Sequence, residues 1–195
     1  MRNKAFDTKI LAKGAILTAI VIVLQYLGQF IRFGPFSVSL VLIPIVIGAA
    51  MCGKGISSWL GLVFGIVVIL TGDAAPFLAV NPFGTFVTVI AKGVLAGFAA
   101  AVVYQAIVKH NRFVAVLAAA IVCPIVNTGV FLIASRVFFF DLINEWANGM
   151  GMDAIKYMFV GLVGLNFVAE LAVNVILSPA VVKVIDILQG RLAKR

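Results

Sequence analysis

The sequence predicts an all-α integral membrane protein, six transmembrane helices in a compact bundle with both termini cytoplasmic. Three observations carry that reading. Hydrophobic residues make up 64% of the chain and charged ones only 11%, with a mean hydropathy of +1.21, a balance that leaves too few polar groups to cover a water-soluble surface. The apolar residues fall into six runs bounded by charge, Gly and Pro, most of them near the roughly 20 residues a spanning helix needs. The basic residues collect on one side of those runs.

The first run, about 10–31, follows a basic start, is longer than a signal-peptide core and has no small-residue cleavage site, so it is retained as a helix. The second, about 37–52, is short, which leaves room for little tilt or for partly irregular backbone, and ends in Gly53-Lys54-Gly55, a tight turn. The third covers about 56–72. The fourth, about 84–108, and fifth, about 113–136, are separated by a polar turn containing His110. The sixth covers about 156–182. Residues 1–195 read as a single membrane domain, and the longest non-helical candidates are 73–83 and 137–155 on the outer side. Arg2, Lys4, Lys9, Lys13, Lys54, Lys109, Arg112, Lys183, Arg191, Lys194 and Arg195 share the inner side, against Arg32, Arg136 and Lys156 outside, which makes the inner side cytoplasmic.

Several function classes are disfavoured. The net charge of +8 is spread between apolar runs as a topology signal, with no basic patch for nucleic acid. Cys52 and Cys123 form no CxxC and there is one histidine, so no metal site is expected. GAAMCGK at 48–54 matches most of a phosphate-binding loop, but Gly55 stands where the magnesium-binding hydroxyl belongs, and the stretch closes a membrane helix. The seven acidic residues are scattered, and no serine has a base beside it, so an enzyme is not expected.

One segment breaks the apolar pattern. LVGLNFVAELAVNVI at 162–176 carries Asn166, Glu170 and Asn174 at four-residue intervals on one helical face. With Lys109, Arg112 and Lys183 marking the inner ends of their helices, a rise of about 1.5 Å per residue puts Lys92 and Asn166 at about 25 Å, Asn127 at about 22 Å and Glu170 at about 20 Å from the inner boundary. Asn174, at about 13 Å, lies below that layer and reads as packing glue or part of an exit path. Charges at such depth cost free energy and mark candidate solute or ion sites. Lys92, Asn127, Asn166 and Glu170 are therefore candidates for holding a small solute, with Phe83, Phe86 and Phe167 as stacking surface and the outer loops as cover. The competing structural roles are a Lys92–Glu170 ion pair and asparagine glue between helices. Ala12, Ala15 and Ala19 form a small-residue face on the first helix that admits close approach of another helix, inside the bundle or outside it.

The chain resembles the substrate-binding S components of energy-coupling factor (ECF) transporters, prokaryotic membrane proteins that capture vitamins. The resemblance covers nearly the whole chain. It rests on size, on Ala15-xxx-Ala19, on GPFSVSLVLIPIVIGAAMCGKGISSWLGLVFG at 34–65, on AKGVLAGF at 91–98 and on CPIVNTGVF at 123–131. It implies a six-helix protein of the cell membrane that binds its solute from outside, docks through Ala12, Ala15 and Ala19 onto a transmembrane coupling subunit, and topples to release the solute inside. Two cytoplasmic ATPases on that subunit would hydrolyse ATP, with no cofactor in this chain. Asn127 in PIVNTG is similar to the group binding riboflavin, pantothenate or a pyrimidine precursor. Lys92 suits a carboxylate-bearing solute such as pantothenate, provided Glu170 does not neutralise it. The alternatives are a stand-alone proton-coupled secondary transporter, with Glu170 carrying the proton, and a solute-free membrane scaffold.

Overall fold

The computed structural model describes residues 8–32 and 37–193, with side chains to residue 187. Arg2, Lys4, Lys194 and Arg195, the side chain of Arg191, and the start of the 34–65 stretch lie outside the described residues. The chain forms α1 (Thr8–Gly28), α2 (Leu42–Cys52), α3 (Lys54–Leu70), α4 (Ala75–Val80), α5 (Pro82–Ile107), α6 (Arg112–Phe138), α7 (Phe140–Gly149), α8 (Ala154–Tyr157), a π-helical turn (Met158–Leu162) and α9 (Gly164–Ala193). Among the described residues, four stretches are long and apolar enough to cross a membrane: Thr8–Gly28, Pro82–Ile107, Arg112–Phe138 and Ala154–Ile187. The shorter apolar helices α2 and α3 accompany them. Exposed Ile16, Ile133, Leu165 and Ile176 coat the outside of these helices, as lipid-facing surfaces require.

The short second run is partly irregular, and one sequence expectation is corrected. The second run does not become helical at residue 37, because the backbone of Ser37–Ser39 is already engaged: Ser37 bridges Arg32, Val38 N donates to Ile31 O at 2.9 Å, and Ser39 N donates to Glu170. That leaves α2 only 11 residues long. The stretches 73–83 and 137–155, expected as non-helical loops, are largely helical. Pro76 and Pro82 sit in the first turns of α4 and α5, where a missing N–H costs nothing. Asn81 caps α5 by accepting from Gly84 N at 2.9 Å, and Asp153 caps α8 through Ile155 N and Lys156 N. In α7, Ile143 and Ala147 are buried at four-residue spacing, while Asp141, Asn144, Glu145 and Asn148 face outward.

Glycines set the closest helix crossing. Gly61 on α3 faces Gly93 on α5, where a Cβ on either would fall on the other's backbone carbonyl, while Gly65 packs against the carbonyl of Val89 and Gly97 against that of Ser57. Ser57 Oγ donates to Gly97 O at 2.8 Å, with Ile45 O at 3.1 Å, tying α2, α3 and α5 together. Gly53, with φ +81°, turns α2 into α3, so GAAMCGK is a helical corner.

The main core joins Leu17 and Val21 of α1, Leu42 and Ile45 of α2, Phe64 of α3 and Ala119 of α6. A second cluster, built on Phe77, Phe139, Ile143 and Tyr157, occupies the other end. The candidate site draws its lining from both.

Candidate functional site

Lys92 of α5, Asn127 of α6, and Asn166, Phe167 and Glu170 of α9 line one cavity. Their shared depth follows from constant helix rise, and their shared direction from the four-residue spacing of Asn166 and Glu170. Asn174 lies outside the lining; its Nδ2 donates to Glu170 O at 2.8 Å, within its own helix.

Phe83 and Phe86 do not line the cavity. They are 72% and 50% exposed on the outer face of α5, because helical phase turns Thr85, Thr88 and Lys92 inward and carries the two phenylalanines away. The aromatic wall comes instead from Phe64, Phe77, Phe131 and Phe139, with Phe167. Phe77 contacts Phe139 edge-on at 4.7 Å and Phe131 at 5.9 Å between centroids, a rigid T-shaped set.

The charged groups are arranged separately. Glu170 is buried and its Oε1 accepts from Ser39 N at 2.9 Å. The Lys92 ammonium lies 5.2 Å from the ring centre of Phe64 and 5.4 Å from that of Phe131. Among the described residues the ion pairs within 4.0 Å are Arg32–Asp73, at 2.9 Å, and Arg112–Asp186; Lys92 and Glu170 do not form one. Lys92 thus presents its charge to the cavity without a carboxylate in contact.

Asn127 is buried and its Oδ1 has no hydrogen-bond partner. Leaving such an oxygen unmatched costs about 1–3 kcal/mol, a cost that a donor on a bound molecule would remove. Thr85 and Thr88 also line the cavity, but their hydroxyls donate to Asn81 O and Gly84 O within the helix. The arrangement can hold a molecule with an anionic end, a donor and an apolar body.

Asp73, Gln25 and Ser37 also belong to the lining, and sequence reading did not single out their side chains. Asp73 accepts from Arg32 at 2.9 Å, from Gln25 Nε2 at 3.5 Å and from the Ser37 hydroxyl, fastening the segment after α1 to the end of α3. The available signal was phase: Gln25 continues the buried row Leu17–Val21 of α1. Asp73→Ala strands the Gln25 amide, which is 2% exposed, and frees Arg32. It is expected to cost about 1–3 kcal/mol, read as a lower unfolding midpoint in detergent; an unchanged midpoint means that the network contributes nothing.

The π-helical turn adjoins the site, since Leu162 and Val163 line the cavity where the ladder changes register ahead of Asn166. On α1, Ala12, Ala15 and Ala19 are all exposed, and the buried face is Gly14, Leu17, Val21, Gln25 and Gly28.

Comparison with known proteins completes the picture. The family model for the ECF transporter, substrate-specific component, matches residues 9–182. The chain is also 31% identical over 199 aligned positions to the pantothenic acid transporter PanT of Lactococcus lactis subsp. cremoris (strain MG1363), covering 93% of this chain and 94% of that protein. The matched residues 9–182 take in the helices that build the cavity as well as the exposed face of α1. The chain therefore belongs to the substrate-specific components of ECF transporters, multi-pass membrane proteins that bind a solute for uptake and are not a family of enzymes.

Proposed function

We propose that this chain captures pantothenate from outside a prokaryotic cell and delivers it inward as the substrate-specific subunit of an ECF importer. The observation that carries the reading is Lys92, an ammonium lining a largely apolar, aromatic cavity with no carboxylate of the described residues within 4.0 Å. Pantothenate has one carboxylate, an amide, two hydroxyls and a branched apolar centre. Its carboxylate goes to Lys92, an N–H or O–H goes to Asn127 Oδ1, and the dimethyl centre lies against the phenylalanine wall. The 31% identity to a pantothenic acid transporter supports the same solute.

In this reading the four long spans and the shorter helices α2 and α3 make six crossings, with both termini cytoplasmic. The basic residues Lys9, Lys13, Lys54, Lys109 and Arg112 occur in the first turns of helices and in the turns assigned to the inner side, which supports it, whereas Lys183 lies within α9, which continues past it to Ala193. The chain carries no cofactor. Two ATPases bound to a coupling subunit hydrolyse ATP, and Ala12, Ala15 and Ala19 are the contact with that subunit.

Native mass spectrometry and calorimetry on purified protein test the solute. Retention of pantothenate, and binding of it in preference to riboflavin, is expected; preference for a flavin or for a cationic vitamin overturns the assignment. For the docking face, Ala15→Trp is expected to abolish co-purification of the coupling subunit and ATPases while leaving solute affinity within twofold, since Ala15 lies on the face of α1 turned away from the bundle. A normal complex from that variant removes Ala15 from the interface.

A further inference from the structure

We infer that Phe64 and Phe131 are positioning residues for solute charge: their rings cradle the Lys92 ammonium and keep it directed at the cavity. The inference rests on the proposal that the solute is anionic. An isolated ammonium in an apolar wall has three routes open to it: it can lose its proton, fold onto a carboxylate, or find another surface for its charge. Glu170 is the nearby carboxylate on α9, and it is engaged by Ser39 N at 2.9 Å. Asp73, also in the lining, is engaged by Arg32 and Ser37. The ammonium instead stands 5.2 and 5.4 Å from two ring centres, inside the roughly 6 Å range in which a π face attracts a cation.

That arrangement separates two requirements. Ring faces stabilise the positive charge without supplying a counter-charge, so the ammonium remains available to a carboxylate, whereas an ion pair with Glu170 would cancel the attraction before the solute arrived. Phe64 is fully buried on α3 and cannot swing away; Phe131 is held edge-on by Phe77 at 5.9 Å. The two rings come from α3 and α6, the lysine from α5. The cradle therefore depends on three helices being correctly packed.

The test compares pantothenate with its alcohol analogue, in which a primary alcohol replaces the carboxylate. Phe64→Leu and Phe131→Leu are expected to weaken both compounds, which lose the same apolar contact with the wall, but to weaken pantothenate about tenfold more than the alcohol. Phe131→Tyr, which keeps a ring face, is expected to restore pantothenate binding. A merely structural role for the rings predicts equal losses for both compounds. Equal losses, or tighter pantothenate binding after removal of a ring, overturn the inference. Should Phe64→Leu fail to fold, Phe131→Leu and Phe131→Tyr decide alone. If the parent protein binds neither compound, the anionic-solute reading fails and takes the cradle's role with it; if it binds both equally, Lys92 does not meet the carboxylate.

Discussion

Lys92→Met is expected to weaken pantothenate binding at least thirtyfold while leaving the unfolding midpoint unchanged or raised. The solute carboxylate would lose a cation in a site shielded from bulk water, and truncating one member of a desolvated charge pair costs about 2–5 kcal/mol, or ~30-fold and upward in affinity. Folding has little to lose. Methionine is close to lysine in length, its thioether packs well against aromatic rings, and the ammonium it removes has no carboxylate within 4.0 Å in the described structure. Calorimetry with pantothenate and with its alcohol analogue, alongside thermal unfolding in detergent, separates the effects. Loss for the acid alone supports contact with the carboxylate, whereas improved binding of a cationic vitamin would reverse the sign of the assigned solute. Unchanged affinity for the acid would remove Lys92 from the site.

The depth of that lysine could be read from sequence because helix rise is nearly constant and charged residues mark the helix ends. Helix rise alone puts Lys92, Asn127, Asn166 and Glu170 at one level, and the fold brings all of them to one cavity. Level is only half of a position; the other half is phase. Phe83 and Phe86 suit a stacking surface by residue type, yet they fall on the side of α5 opposite the row of Thr85, Thr88 and Lys92, which the sequence displays. Other parts had no local signal. Asp73 meets Arg32, Gln25 and Ser37 across about 40 residues of chain, and Glu170 meets the backbone of Ser39 across 131, so these contacts exist only once the helices are packed. The same holds for the π-helical turn, whose sequence MFVGL is apolar and would suit a regular helix. The late start of α2 follows from those contacts, since hydrophobicity alone extends the helix back to Ser37.

Gly93→Leu is expected to be the most damaging single change in the bundle, and Gly93→Ala a milder form of the same defect. A Cβ at Gly93 meets the carbonyl oxygen of Gly61, and a Cβ at Gly97 would meet that of Ser57. Backbone cannot rotate aside as a side chain can, so α3 and α5 must separate. Separation forfeits close packing along Gly61–Gly65 and Gly93–Gly97 and weakens the 2.8 Å bond from Ser57 Oγ to Gly97 O. Overpacking of this kind costs about 1–3 kcal/mol for one methyl and more for leucine. Gly129→Ala supplies the control, because a Cβ there meets nothing within 4 Å and alanine is the better helix former by about 1 kcal/mol in water. Unfolding midpoints in detergent should therefore move in opposite directions for the same substitution at positions 93 and 129. Separation would also carry Lys92, next in sequence, away from the Phe64 ring on α3, so any Gly93→Ala protein that folds should lose affinity for pantothenate as well. Equal midpoints for Gly93→Ala and the parent would mean that the two helices are not in backbone contact, and the geometry assigned to the Lys92 cradle would fall with them.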